Sequence, residues 1–266
     1  MNRTGLYIAL AIAVITGVTF GIYPELDLAI ARYFHGIVDT AGNTFMLRFS
    51  EPLMMARDAG LWVSTILVGL AVAAVVIKLL LPRRKMLMPG RAALFLIVTM
   101  ALGPGLLVNV LLKENWNRPR PIDVSQLGGN ETFVAWWDPR GDCGSNCSFV
   151  SGDVSGAFWT LAPAAVTPPQ WRAVAYGAAL ALGTAMGAAR VVVGGHFVSD
   201  AIFAGVFTFL IIWVVYGFIY RWPRTRLRDE DVEGRIERVG GLRYQLNKRL
   251  FAKTTRSPDK PEGSSL

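Results

Sequence analysis

The chain has 266 residues, of which 53% are hydrophobic and 17% are charged, and its mean hydropathy is +0.40. This balance argues against an ordinary soluble domain and is typical of an integral membrane protein. The formal net charge of +8 raises the question of nucleic-acid binding, but the distribution of the basic residues argues against it.

Six apolar runs resemble the segments of roughly 20 residues that cross a bilayer as α-helices. The fourth run is short and needs residues from its flanks to span. We therefore expect an all-α integral membrane protein, with a bundle of six transmembrane helices in residues 1–222 and a basic tail in residues 223–266. The runs cover residues 5–23, 60–81, 91–112, 154–166, 172–193 and 201–220.

Basic residues concentrate on one side of these runs. Four lie within residues 83–91, and twelve of the 27 follow Tyr220. Such an excess marks the cytoplasmic side of a membrane protein and gives no reason to expect a nucleic-acid partner. We therefore expect both termini in the cytoplasm, and residues 24–59, residues 113–153 and the loop before Asp200 on the opposite side.

The third run ends in a cluster of cations. Lys113 is followed by Arg118 and Arg120, with Pro119 and Pro121 interleaved. Prolines disfavour helix in the residues before them, so this segment should leave the membrane extended. The three cations either converge on a multiply charged anion or anchor the chain at the surface. We favour anion binding, because the cluster lies on the side that is otherwise poor in basic residues.

The only cysteines, Cys143 and Cys147, fall in the expected outer loop. An oxidising compartment would permit a disulfide between them, and we favour this disulfide over the alternative of two free thiols. A C-x3-C pair without further cysteines is a poor zinc site.

The fourth run opens with Ser151, Gly152 and Asp153. Backbone N–H groups at the positive end of a helix suit a phosphate. An ordinary N-cap, with Ser151 or Asp153 as the capping residue, explains the same residues.

Between the fifth and sixth runs, Arg190 precedes His196 by six residues and Asp200 follows it by four. On a helix the spacing of four would place the imidazole and the carboxylate on one face, in contact. A carboxylate on one ring nitrogen leaves the other nitrogen available to attack or to accept a proton. Arg190 is a natural partner for a phosphate oxygen. Helix capping and an ordinary interface histidine are the alternatives.

Together these segments resemble the type 2 phosphatidic acid phosphatase (PAP2) superfamily, over roughly residues 60–215. The motifs of that family are K-x6-R-P, P-S-G-H and S-R-x5-H-x3-D, in this order. Here they read Lys113-x6-Arg120-Pro121, Val150-Ser151-Gly152-Asp153 and Ala189-Arg190-x5-His196-x3-Asp200.

The resemblance implies a phosphoric monoester hydrolase that needs no metal and no cofactor, and the expected topology gives it an outward-facing active site. His196 would attack phosphorus and form a phosphohistidine, with Asp200 holding the imidazole. The phosphate-binding residues would be Lys113, Arg120, Arg190, the Ser151 and Gly152 amides, and Arg118, which matches an additional arginine of bacterial relatives.

Asp153 is the main departure from the family motifs, since it replaces the histidine that protonates the leaving group. An aspartate is a general acid only if its pKa is raised, and nearby cations act in the other direction. Three interpretations stay open: Asp153 as the acid, which we favour, Asp153 as a structural group with water as the acid, and a protein of reduced activity.

The Cys-Ser-Phe-Val-Ser-Gly-acid string resembles lipid A phosphatases of the 4′ type. It implies removal of the 4′-phosphate of lipid A at the periplasmic face of a bacterial inner membrane. Undecaprenyl pyrophosphate and phosphatidylglycerophosphate are alternative substrates. A non-catalytic lipid-binding or transport protein and a lipid phosphotransferase are alternatives of other classes.

Overall fold

The computed structural model describes residues 3–35, 45 and 47–254, with the backbone alone for residues 243–254. Within these ranges the chain is helical, and its β-pairing is an isolated bridge between Val124 and Glu131. The helices are α1 (Arg3–Ile22), α2 (Glu25–His35), α3 (Glu51–Leu80), α4 (Gly90–Asn115), α5 (Gly152–Phe158), α6 (Leu161–Val166), α7 (Pro169–Val192), α8 (Val198–Arg221) and α9 (Asp229–Thr254).

Helices α1, α3, α4, α7 and α8 are long and apolar enough to cross a membrane. The expected all-α membrane architecture is therefore confirmed, with five described helices of spanning length where six were expected. The fourth expected run forms the two short helices α5 and α6 instead. Pro163 accounts for the break, because it has no N–H to donate to the carbonyl of Trp159 four residues earlier.

Another proline alters α4. Pro104 lies inside this helix, and residues 101–112 adopt wide, π-type turns. A missing N–H within a helix interrupts the regular hydrogen bonds, and wide turns are a common response. The end of α4, which contains Lys113, therefore follows an irregular stretch.

Helix α5 packs at the centre of the bundle, between α7 and α8. A Cβ atom at Gly183 of α7 would lie 2.5 Å from the ring of Phe158, and one at Gly205 of α8 would lie 2.8 Å from it. Glycine at both positions thus lets the two helices approach one aromatic ring from α5. A buried hydrogen bond of 2.7 Å between the Ser155 and Thr208 hydroxyls also ties α5 to α8.

At the other end of the bundle, α9 packs against α3 and α4. Asp229 of α9 accepts hydrogen bonds from Arg91 of α4, with Nη2 of Arg91 2.9 Å from Oδ2. The buried Lys78 of α3 pairs with Glu237. The beginning of the expected tail is therefore a docked helix, whereas residues 255–266 lie outside the described part.

Candidate active site

His196 lies in the turn between α7 and α8 and is almost fully buried. Gly194 forms this turn with a φ of +69°, a left-handed conformation that glycine adopts without a steric penalty. Nδ1 of His196 is 2.7 Å from the backbone oxygen of Ser148. Because a carbonyl can only accept, Nδ1 carries the proton and the lone pair remains on Nε2.

The surroundings also keep His196 neutral. Burial has the largest effect and lowers the pKa of the imidazole well below its ordinary value. The positive charges of Arg190, Arg120 and Lys113 lower it further. A neutral imidazole with an unprotonated Nε2 is the form that can act as a nucleophile.

The prediction that Asp200 contacts the His196 ring is wrong, because the two side chains have different hydrogen-bond partners. The imidazole is held by Ser148, while the Asp200 carboxylate accepts from Arg118, from the Ser148 hydroxyl and from the Phe197 N–H at 2.9 Å. The reason is that α8 begins at Val198, so His196 precedes the helix and the spacing of four residues does not put both groups on one face. Asp200 thus acts on His196 through Ser148.

The Arg118 guanidinium is bonded to protein acceptors in this structure, whereas the sequence-based prediction placed it among the phosphate-binding residues. Its side chain is fully buried in a network of acceptors. Nη2 is 2.9 Å from Oδ2 of Asp27, and Nη1 contacts Asp200 and the Ser199 hydroxyl. Its guanidinium also lies over the Phe197 ring, at 4.4 Å from the centroid. Through these hydrogen bonds Arg118 joins α2 to the start of α8, which is a structural role.

Asp27 of α2 was missed by the sequence analysis. It is buried, and besides Arg118 it accepts from the N–H of Ser199 at 3.1 Å and from the Ser199 hydroxyl. A signal was present, because Asp27 shares a helical face with the apolar Ile30 and Ala31. A carboxylate on an apolar face requires a buried partner.

Lys113 and Arg120 lie together, as the family motif implies. Nζ of Lys113 is 3.0 Å from Oδ1 of Asn146. Nε and Nη2 of Arg120 are 3.2 and 2.8 Å from the backbone oxygen of the same asparagine. Asn146 belongs to the loop closed by Cys143 and Cys147, which form the expected disulfide.

Ser151 and Gly152 begin α5 next to these cations. Ser151 is the N-cap, and its hydroxyl accepts from the N–H of Val154 at 3.5 Å. A Cβ at Gly152 would lie 2.7 Å from the side-chain oxygen of Asn109 and 3.3 Å from Nζ of Lys113. Glycine here therefore permits the start of α5 to approach the end of α4. Ser151 is therefore an N-cap, and the backbone of Gly152 lies close to the ammonium group of Lys113.

Asp153 forms ion pairs with two arginines. Oδ2 accepts from Nε of Arg57 at 2.7 Å and lies 3.2 Å from Nε of Arg190. Burial raises the pKa of Asp153, but the hydrogen bond from Arg57 and the charges of Arg190, Arg57 and Lys113 outweigh it, and the pKa is lowered. This direction is opposite to the one that a general acid requires.

Arg57 of α3 was not among the predicted site residues. It lies in residues 24–59, which the sequence-based topology places on the same side as residues 113–120, so it was an equally suitable candidate for anion binding. Arg190 itself packs on the backbone of Gly195: a Cβ there would lie 2.6 Å from its Nη2. The guanidinium of Arg190 is thus beside the residue that precedes His196.

In the part of the chain that the structure describes, no three His, Cys, Asp or Glu side chains converge as a possible metal site. What converges is a buried neutral histidine, cations from α3, α4, α7 and the segment after α4, and the amino-terminal turn of α5. This set suits a group with several negatively charged oxygens.

The fold and the site define a class: a helical membrane protein with a histidine and a group of cations arranged for a phosphoryl group. The chain belongs to the PAP2 superfamily, whose family model matches residues 92–224.

Curated relatives are similar over different lengths. A lipid A 4′-phosphatase of Francisella tularensis subsp. novicida is 33% identical over 228 residues, which cover 83% of this chain and 98% of that protein. Lipid A 4′-phosphatases of Rhizobium leguminosarum and Rhizobium etli are 39% and 40% identical, over 39% and 37% of this chain and 45% and 38% of their own lengths. No solved structure is significantly similar to this chain.

Proposed function

We propose that the chain is a membrane lipid phosphatase that hydrolyses the 4′-phosphate of lipid A through a phosphohistidine on Nε2 of His196. The main observation behind this proposal is the hydrogen bond that Nδ1 of His196 donates to the Ser148 carbonyl, which leaves the Nε2 lone pair available. Membership of the PAP2 superfamily supports the reaction class. The three relatives that bear the name lipid A 4′-phosphatase support the substrate.

In the first step Nε2 of His196 attacks phosphorus, and the bond from phosphorus to the sugar oxygen breaks. The departing electron pair stays on that oxygen, which takes a proton from water. Negative charge spreads over the three equatorial oxygens in the transition state, where fixed cations stabilise it most. Lys113, Arg120 and Arg190 supply these cations, together with the Ser151 and Gly152 amides.

In the second step the hydroxide formed from that water attacks the phosphohistidine. The bond from phosphorus to nitrogen breaks, its electron pair returns to Nε2, and phosphate leaves. Over both steps one water is consumed, and one alcohol and one phosphate are released. Ser148 keeps the imidazole in the required tautomer throughout, with Asp200 and Arg118 holding Ser148 from behind.

We propose that Asp153 is a positioning residue and that water protonates the leaving group. Asp153 joins Arg57 to Arg190 and so sets where the Arg190 guanidinium lies. Replacement by asparagine should lower kcat/KM about 10-fold, the effect of losing an ion pair that orients a binding group. The shape of the pH profile of kcat should stay the same. If Asp153→Asn lost the alkaline limb of the pH profile of kcat, Asp153 would be the general acid and this proposal would be wrong.

Asp58 provides a matched control for Asp153. It also contacts Arg57, with Nη1 3.3 Å from Oδ1, but it is mostly exposed. Asp58→Asn removes one carboxylate from the same arginine without touching Arg190. Its kcat/KM should therefore stay at the wild-type value.

We also propose the membrane placement expected from the charge distribution. Helices α5 and α6 together would form the sixth crossing, and the site would face the periplasm, with both termini in the cytoplasm of a bacterial inner membrane. Fusions of alkaline phosphatase and of green fluorescent protein to residue 266 test this placement, because the first reporter is active outside the cytoplasm and the second inside. An active alkaline phosphatase fusion would contradict it.

Phosphate release tests the function. Purified protein in detergent micelles is incubated with lipid A, lipid A that has only the 1-phosphate, undecaprenyl pyrophosphate and phosphatidylglycerophosphate. We expect release from lipid A, none from the 1-phosphate form, and a loss of at least about 1,000-fold in His196→Ala. Preference for another lipid would change the substrate. Release that depends on an added acceptor would indicate a phosphotransferase, and binding without release would indicate a lipid-binding protein.

A further inference from the structure

The disulfide loop, residues 143–147, runs beside the segment of residues 113–120 at the end of α4, and the two are joined through their backbones. The N–H of Cys147 donates to the carbonyl of Lys113 at 3.1 Å, and the N–H of Cys143 donates to the carbonyl of Asn117 at 3.3 Å. Each cysteine of the bridge is therefore attached to this segment. The five-residue ring closed by the bridge has few conformations available to it.

Asn146, at the exposed side of this ring, contacts both cations of the first family motif. Its side-chain oxygen accepts from Lys113 and its backbone oxygen accepts twice from Arg120. Its φ is +51°, a left-handed conformation that asparagine tolerates better than most residues with a side chain. This conformation lets the side chain and the carbonyl of one residue serve two cations.

The contact of Asn146 with Lys113 and Arg120 orders two side chains that would otherwise repel each other. Lys113 and Arg120 carry like charges on long, flexible side chains, so they repel each other and lose rotamer freedom when a ligand fixes both. A neutral acceptor between them reduces the repulsion and restricts the rotamers before the ligand arrives. Prior ordering of this kind increases affinity by reducing the cost of binding.

We propose that Asn146, held by the Cys143–Cys147 disulfide, is a positioning residue that orients Lys113 and Arg120 toward the phosphate of the substrate. This inference rests on the proposed function. It assigns a role to the disulfide loop, which lies outside the family motifs.

Asn146→Gly is the test variant, since glycine keeps the left-handed φ and the backbone oxygen and removes the side-chain acceptor. We expect KM for lipid A to rise about 3- to 10-fold, the effect of one ordinary solvent-exposed hydrogen bond, with a smaller change in kcat. Ser145→Ala, in the same ring, is the control and should match the wild type. A wild-type KM in Asn146→Gly would overturn the proposal.

A double-mutant cycle separates positioning from a general structural effect. In a Lys113→Met background, Asn146→Gly should change KM little, because methionine has no N–H donor for the Asn146 side-chain oxygen to accept from. An equal rise of KM in both backgrounds would show that Asn146 acts independently of Lys113, and would also overturn the proposal.

The disulfide is tested with the Cys143→Ser/Cys147→Ser double variant and with dithiothreitol, which reduces the bridge to two thiols. Reduction should raise KM of the wild type to that of the double variant and leave the double variant unchanged, because the chain has two cysteines. Unchanged wild-type kinetics after reduction would contradict the role of the bridge. If the wild type released no phosphate, the proposed function would fail instead, so the two failures are distinguishable.

Discussion

Removal of the Arg118 side chain separates a structural role from a phosphate-binding role. The guanidinium is fully buried and bonded to Asp27, Asp200 and Ser199. Arg118→Leu leaves two buried carboxylates without their cation. Breaking a buried ion pair by removal of one partner costs about 3–5 kcal/mol of unfolding free energy. For a chain of this size, each kcal/mol lowers Tm by roughly 2–4 °C, so we expect a decrease of about 6–20 °C.

Tryptophan fluorescence during heating of the detergent-solubilised protein measures this change. Arg140→Leu is the matched control: Arg140 also pairs with an aspartate, Asp138, but its side chain is 80% exposed, so Tm should not change. Adding Asp27→Leu to Arg118→Leu removes one of the stranded carboxylates and should restore part of Tm. A wild-type Tm with lost activity in Arg118→Leu would refute the structural role and favour phosphate binding.

Three further predictions concern the turn around His196 and the packing beneath it. Gly195→Ala should displace the Arg190 guanidinium, because the new Cβ would lie 2.6 Å from its Nη2. We expect kcat/KM to fall about 10- to 100-fold while Tm stays nearly unchanged. A large decrease in Tm would contradict this prediction. The pKa of His196 is lowered in the folded protein, so near pH 6.5 the unfolded chain binds a proton at this histidine and the folded protein does not. The contribution of His196 should therefore make Tm fall as the pH decreases below about 6.5. His196→Gln should remove that part of the pH dependence, and equal slopes for both proteins would contradict it. Gly183→Leu should collide with the Phe158 ring and lower Tm by several degrees, whereas Gly177→Leu, at an open position of the same helix, should not.

The features that local sequence determines were predicted well. Apolar length determines a membrane-crossing helix, and five described helices agree with the expected runs. The disulfide between Cys143 and Cys147 was predictable from the oxidising compartment in which the charge distribution places these cysteines. The fourth run is the exception, because Pro163 interrupts the helical hydrogen bonds and the run forms the two short helices α5 and α6.

The polar contacts of the site were harder to predict, because they join distant parts of the chain. Arg118 and Asp27 are separated by 91 positions, and Arg57 and Asp153 by 96. Nothing in the spacing of Arg118 distinguishes a side chain that points toward a ligand from one that points into the core. The pairing of His196 with Asp200 failed for a local reason, since the rule of four residues applies within a helix and His196 lies before one.

A trapped phosphoenzyme tests the central claim most directly. Purified protein is mixed with lipid A labelled in its 4′-phosphate, quenched in alkali, in which phosphohistidine survives, and digested for mass spectrometry. We expect phosphate on the peptide that contains His196, attached at Nε2, and no label in His196→Ala. Phosphate on another residue, or rapid turnover by His196→Ala, would contradict the account.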